Sequence, residues 1–314
     1  KSVNFDIVRV GGIKILKKYR KAYLINEFIK KNNNIDGVIA DHWKSLELIK
    51  TNQNKICLIH SKEINHLKGT NINKRLLKVL NNVNHIIANS DFTKKLAINC
   101  GVNEEKITII NPGVDPFIEL NKKFLDQAED LLIKKNPRLI TVSRFDKRKN
   151  HEKVIMAIKN LKEIYPNIIY ICIGHGDEEE KLKKLVEELD LNENVLFLKH
   201  ISNNLKNALI CKSNIFVMPS IIYKKSVEGF GIAYIEAAQF GIPSIGGKDG
   251  GASDAIDHKK TGLIIDGNNL DEIYSSINEL LINKKYLEYG KLAKNNSINF
   301  HWDKIIEKYK KILN

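Results

Sequence analysis

The chain has 314 residues, 43% of them hydrophobic and 28% charged, with a formal net charge of +14. That is enough for two α/β domains of ordinary size, and the basic balance fits either an anionic partner (phospholipid, nucleic acid or a phosphorylated substrate) or a general Lys- and Asn-rich bias, visible in Lys31-Asn32-Asn33-Asn34. No apolar run approaches the roughly 20 residues of a membrane span, and no signal peptide is read.

Residues 5–10 read as a short strand. Residues 13–31 read as one helix with Ile13, Leu16, Tyr19, Leu24, Phe28 and Ile29 mainly on one side. Lys14, Lys17, Lys18, Arg20, Lys21, Lys30 and Lys31 fill the rest, a composition that suits an anionic membrane surface or a solvated helix face. Strands then alternate with helices: strands over 37–40, 56–60, 85–90 and 107–115, helices near 43–51 and 73–82 and after Ser90. This rhythm predicts a parallel sheet with crossover helices. Residues 1–115 hold 20 Lys and Arg against 10 Asp and Glu, so most of the positive charge sits in this half.

Residues 116–136 are polar and charged, and the domain connection is placed at 119–136. A second α/β unit follows, with strands over 139–143, 168–174, 195–198, 215–218, 244–245 and 263–265, then helices over 270–295 and 302–313. The expected domains are 1–118 and 137–299. The four cysteines, Cys57, Cys100, Cys172 and Cys211, lack CxxC spacing and read as reduced, mostly buried thiols of a cytoplasmic protein. No metal-ligand pattern is found.

The stretch Glu228-Gly229-Phe230-Gly231-Ile232-Ala233-Tyr234-Ile235-Glu236 follows an apolar strand and opens a helix. Its glycines admit a ligand close to the backbone, and free N–H groups at a helix start favour phosphate. Glu236 is placed about two turns up the helix from Glu228. Two carboxylates beside a phosphate site suit a ligand that also carries hydroxyls, such as a nucleotide sugar. Arg144 and Lys149 lie just past a strand, where a fork and a point charge can neutralise a diphosphate. Lys147 and Arg148, beside them, are assigned to solvent. His60 ends a strand, where open α/β sheets carry functional residues; His42 and His66 compete with it, and Asp41 is a minor acceptor-side candidate.

Glu228 to Glu236, followed by Ala237-Ala238-Gln239-Phe240-Gly241-Ile242-Pro243, resembles the donor-site signature of the family 4 retaining glycosyltransferases. Ile86-Ile87-Ala88-Asn89-Ser90, Asn111-Pro112-Gly113-Val114-Asp115, Val142 to Asn150, Gly174-His175-Gly176, Gly250-Gly251 and His301-Trp302-Asp303 resemble further signatures in the same order, with Pro112 where the family often has Asn. The resemblance implies the GT-B fold: two Rossmann-like domains with parallel sheets facing across a cleft, the last helix (300–314) crossing back onto the first domain. At least one βαβ unit, on the order of 30 residues, is expected to be missing before Lys1.

By the same resemblance, Arg144 and Lys149 hold the donor diphosphate, Glu228 holds the sugar hydroxyls and Glu236 the ribose. The backbone of Gly229, Phe230, Gly231 and Ile232 faces sugar and phosphate, with Phe230 itself packing, and His60 lines the sugar pocket. The expectation is a retaining, metal-independent glycosyltransferase without cofactor, taking a UDP- or GDP-sugar as donor and a glycan or lipid-linked acceptor, at the cytoplasmic face of a membrane in cell-envelope synthesis. The alternatives are a non-catalytic nucleotide-sugar-binding relic and a GT-B epimerase. Nucleic-acid binding rests on charge alone and comes last, because no aromatic-interleaved basic strand motif is read; no nucleic-acid partner is expected.

Overall fold

The computed structural model describes residues 5–13, 15–32, 34–117 and 119–313. Lys14, Ile118 and the ends of the expected domain bounds lie outside them. The chain divides into two compact units, Lys1–Asn89 with Lys94–Ile109, and Ser90–Thr93 with Ile110–Asn314.

The first unit holds α1 (Lys17–Lys31), β1 (Gly37–Ala40), α2 (Trp43–Leu46), β2 (Asn54–Ile59), α3 (Ser61–Ile64), α4 (Asn71–Leu80), β3 (His85–Ala88), most of α5 (Asp91–Asn99) and β4 (Ile107–Ile109). Its four strands pair in parallel in the order β1-β2-β3-β4. Trp43, Ile59, Ile64, Leu76, Leu80, Ile86 and Ala97 form its core. Residues 5–10 form no strand: they pair with none of the described strands, and Phe5, Ile7 and Val8 are exposed. Helix α1 starts later than expected and turns a different face inward. Ala22 is buried and Ile25 and Ile29 pack on the core, whereas Leu16, Tyr19, Leu24 and Phe28 stay exposed. The spacing 22, 25, 29 follows one side of a 3.6-residue helix, and the larger side chains around it mask that side in the sequence.

The second unit holds α6 (Lys122–Leu131), β5 (Arg138–Val142), α7 (His151–Lys162), β6 (Ile169–Ile173), α8 (Glu179–Glu188), β7 (Val195–Leu198), α9 (Asn203–Cys211), β8 (Ile215–Met218), α10 (Ile232–Gln239), β9 (Ser244–Gly247), α11 (Ala252–Ala255), β10 (Gly262–Ile265), α12 (Leu270–Leu281), α13 (Lys285–Ser297) and α14 (Trp302–Leu313). Six strands pair in parallel in the order β10-β9-β8-β5-β6-β7. Both faces are covered, as parallel sheets require. Leu139, Tyr170, Cys172, Ile215 and Val217 point to one buried layer, and their neighbours Ile140, Ile169, Ile171, Phe216 and Met218 to the other. The two layers follow the two-residue period of a strand.

Two boundaries differ from expectation. Residues 119–136 are not simply a connection: α6 buries Ala128, Leu132 is buried just beyond it, and both join the second unit's core. The long helix expected over 270–295 breaks at Asn283 and Lys284, both left-handed at φ 54°. The tail 300–314 belongs by its contacts to the second unit, where His301 pairs with Val114.

Candidate functional site

In a doubly wound sheet the ligand crevice opens beyond the carboxyl ends of the strands where the winding reverses. In the second unit the chain winds from β5 outward through β6 and β7, then from β8 outward the other way through β9 and β10. The reversal lies between the neighbours β5 and β8. Residues 143–150 leave the end of β5 and residues 219–231 leave the end of β8, so both predicted donor-site motifs meet at that point.

The structure brings Lys149 and Glu228 together. The Lys149 ammonium ion-pairs with Oε2 of Glu228, and Arg148 Nη1 meets the same oxygen at 2.6 Å. The side chains of Lys149, Glu228 and Arg148 are only 11%, 13% and 15% exposed. Burial opposes charge on Glu228, but Lys149 and Arg148 outweigh it and hold the carboxyl below its ordinary value. Burial pushes Lys149 below its ordinary value, and Glu228 offsets part of that. Arg148, assigned to solvent in the sequence, is therefore part of the site. Lys147 is exposed as expected, its ammonium 5.4 Å from the centroid of the Tyr223 ring.

Neighbouring residues fix this loop. Asp146 Oδ1 accepts from the Lys149 N–H at 3.2 Å. Asn150, left-handed at φ 63°, donates to the carbonyls of Pro219 at 3.1 Å and Gly267 at 2.7 Å. Ile221 N–H donates to the Arg148 carbonyl at 2.9 Å. Arg144 is left apart: its side chain is 77% exposed and its nearest acid, Asp146, lies 3.9 Å away.

Gly231 caps α10 at φ 89°, and a Cβ there would meet the Tyr234 ring at 2.3 Å. A side chain is excluded on both counts. Gly250 faces Glu228 in a parallel bridge, and Gly251 N–H donates to the Glu228 carbonyl at 2.9 Å. Phe230 is buried and packs 5.6 Å from Phe300, whereas Ile232 is exposed. Glu236 sits one turn into α10, not two, because the helix begins only at Ile232. It pairs with Lys206 of α9 at 3.0 Å.

Beneath β5 runs a buried hydrogen-bond chain that the sequence did not announce. Ser143 Oγ lies 3.0 Å from His151 Nε2, His151 Nδ1 lies 2.9 Å from the Tyr170 hydroxyl, and that hydroxyl lies 2.7 Å from Thr141 Oγ1. Thr141 donates to the Val217 carbonyl. A carbonyl can only accept, so the upstream donors are set in turn: Tyr170 gives to Thr141 and His151 Nδ1–H to Tyr170, which leaves Nε2 as the acceptor facing Ser143 Oγ, a hydroxyl that also lies 3.2 Å from the Arg144 carbonyl. Burial lowers the His151 pKa to about 3, which keeps the ring neutral as this chain requires.

In the first unit, His60 follows β2 and opens α3. Its N–H donates to Glu63 Oε1 at 3.1 Å, and its ring Nδ1 lies 3.4 Å from Asn89 Nδ2. Desolvation lowers the His60 pKa, against a weaker upward pull from Asp41. His42 caps α2, Nδ1 accepting from Lys44 N–H at 3.0 Å, with Nε2 3.8 Å from Glu63 Oε2. Burial raises the Glu63 carboxyl to about 7. His66 lies in the loop before α4, where its carbonyl accepts from Cys100 Sγ. Among the described residues no three of His, Cys, Asp and Glu gather closely enough to hold a metal ion, and no helix is long and apolar enough to cross a membrane.

Two parallel α/β units of this kind, the second with a nucleotide-type crevice, have the GT-B fold. The chain superposes at TM-score 0.79 on Anabaena Alr3699/HepE in complex with UDP, 17% identical, covering 95% of this chain and 83% of that one. A glycosyltransferase from Rickettsia africae gives TM-score 0.79 at 22% identity, covering 98% and 83%. Residues 123–297 match the family of glycosyl transferases group 1, and residues 6–116 match glycosyltransferase family 4. The chain belongs to the glycosyl transferases group 1. A GDP-mannose-dependent phosphatidylinositol monomannoside mannosyltransferase of Mycobacterium tuberculosis is 29% identical over 47% of this chain and 39% of its own length. An uncharacterized glycosyltransferase of Methanocaldococcus jannaschii is 30% identical over 74% of this chain and 59% of its own. The chain thus spans about half the length of the curated relatives it matches.

Proposed function

We propose that this protein is a retaining glycosyltransferase that moves a sugar from a UDP- or GDP-sugar to an acceptor hydroxyl without a metal ion or other cofactor. The observation that carries the reading is the buried Glu228 carboxylate held by Lys149 at the reversal point of a Rossmann-order sheet. A carboxylate there accepts from sugar hydroxyls, and Lys149 with the exposed fork of Arg144 meets the diphosphate, whose charge grows as the glycosidic bond breaks. The backbone of residues 229–232 lies along sugar and phosphate, and Glu236 takes the ribose hydroxyls. The departing phosphate oxygen takes the acceptor proton, so no protein base is needed.

The acceptor in this reading is a lipid or lipid-linked glycan at the cytoplasmic face of a membrane, on which the basic first half of the chain rests. Thermal-shift measurements against UDP, GDP, ADP and their sugars test the donor site. A bound nucleotide raises Tm by mass action, and Glu236→Ala or Arg144→Ala is expected to abolish the rise. A folded protein that none of these nucleotides stabilises refutes the reading. Failure to bind anionic vesicles at low salt refutes the membrane acceptor.

A further inference from the structure

Glu228 has two cations on one oxygen, and they are not equivalent. Lys149 reaches it on a flexible stem, its ammonium otherwise 3.3 Å from the Met218 sulfur, a weak partner. Arg148 reaches it with a rigid fork, its backbone carbonyl tied to Ile221 and its Nη2 3.8 Å from Asp146. Its Nε is buried with no hydrogen-bond partner, so the guanidinium is aimed at Glu228 without being saturated. A diphosphate that drew Lys149 away would leave Glu228 as a buried, unpaired carboxylate if Lys149 were its only counter-ion. Such a group is strongly destabilising.

We propose that Arg148 is the standing counter-ion of Glu228, a positioning residue that frees Lys149 to leave that carboxylate for the diphosphate of a nucleotide sugar. This rests on the donor-site reading above. Arg148 stays on Oε2 and keeps the carboxylate ionised and oriented, while Oε1, which neither cation contacts, faces the sugar. Lys149 is the transferable charge. Without Arg148, Glu228 captures Lys149, and the diphosphate must compete with it.

Calorimetric titration of UDP and GDP into the wild type, Arg148→Gln, Arg148→Lys, Glu228→Gln and the double variant R148Q/E228Q tests this, with circular dichroism confirming the fold of each. R148Q is expected to weaken binding about tenfold or more, and Arg148→Lys to restore most of it. In the E228Q background, where no carboxylate competes, R148Q is expected to matter less than about threefold. Equal losses in both backgrounds overturn the proposal, because Arg148 would then act on the nucleotide directly or on the fold. Should R148Q not fold, Arg148→Lys decides: affinity within about threefold of wild type supports the counter-ion role and a tenfold loss overturns it. A wild type that binds neither nucleotide overturns the donor-site reading itself, and this inference with it.

Discussion

Glu228→Gln isolates the electrostatics of the site from its shape. The amide has nearly the size of the carboxylate, so packing is kept, but Lys149 and Arg148 lose the charge that neutralises them. Both are almost buried, with 11% and 15% of their side chains exposed. Breaking a buried pair by removing one partner costs about 3–5 kcal/mol, and the remaining carbonyl oxygen still accepts from one cation, so about 3 kcal/mol is expected. For a unit of this size that lowers Tm by roughly 6–12 °C. The penalty has a pH signature. Burial already holds Lys149 below its ordinary 10.5, and loss of Glu228 removes an upward pull, so its folded value falls further. The unfolded chain keeps that proton up to the ordinary value, so between the two values it binds more protons and stability rises with pH. The gap between variant and wild type is therefore widest near pH 7 and narrows toward pH 10, where the part owed to Arg148, which stays charged, remains. Urea unfolding at pH 7 and pH 9.5 measures it. A variant as stable as wild type at pH 7, or a gap that widens with pH, refutes the buried three-charge arrangement.

Gly231→Val combines a left-handed backbone with a clash against Tyr234 and is expected to lose about 2 kcal/mol or more together with nucleotide-induced stabilisation; a wild-type Tm and wild-type binding would contradict the cap geometry. Tyr170→Phe strips a donor from Thr141 and an acceptor from His151 in a fully buried chain, and about 2 kcal/mol of stability should go with it in chemical denaturation. Glu63, raised to about 7 from 4.5, binds its proton more tightly folded than unfolded. That contribution is complete below about pH 4.5 and lost as pH rises through about 7. Glu63→Gln, which keeps an acceptor for the His60 N–H, should match wild type at pH 4 and be the more stable at pH 8; the reverse order would rule out a buried carboxyl there.

Much of this architecture is legible in local sequence because local physics decides it. Short uninterrupted apolar runs such as Ile215 to Met218, too short for a buried helix and followed by Pro219, fit strands buried on both faces, and their alternation with helices favours parallel pairing. The Glu-Gly-Phe-Gly stretch marks a helix start because glycine alone fits the cap at Gly231. By the same logic Phe230 packs in the core, as expected. Where several side chains of one kind compete, the sequence is silent. Lys147, Arg148 and Lys149 are three adjacent cations of similar reach, and only a short 3-10 turn capped by Asp146 sends one to solvent and two to Glu228. In α1 the buried face follows small Ala22, not the bulky residues around it.

The fold class, the strands of both sheets, the family and the two candidate motifs follow from the amino-acid sequence, apart from the strand wrongly expected over residues 5–10, because each depends on hydrophobic period, glycine conformation and residue chemistry within a few positions. The tertiary structure alone decided which strands are neighbours at the winding reversal, that Arg148 and Lys149 share one oxygen of Glu228, that Arg144 stands apart in solvent, and that a neutral His151 lies under β5. These are contacts between residues such as Arg148 and Glu228, 80 positions apart. Burial and charge set their strength, and both exist only once the sheet has brought the two loops together.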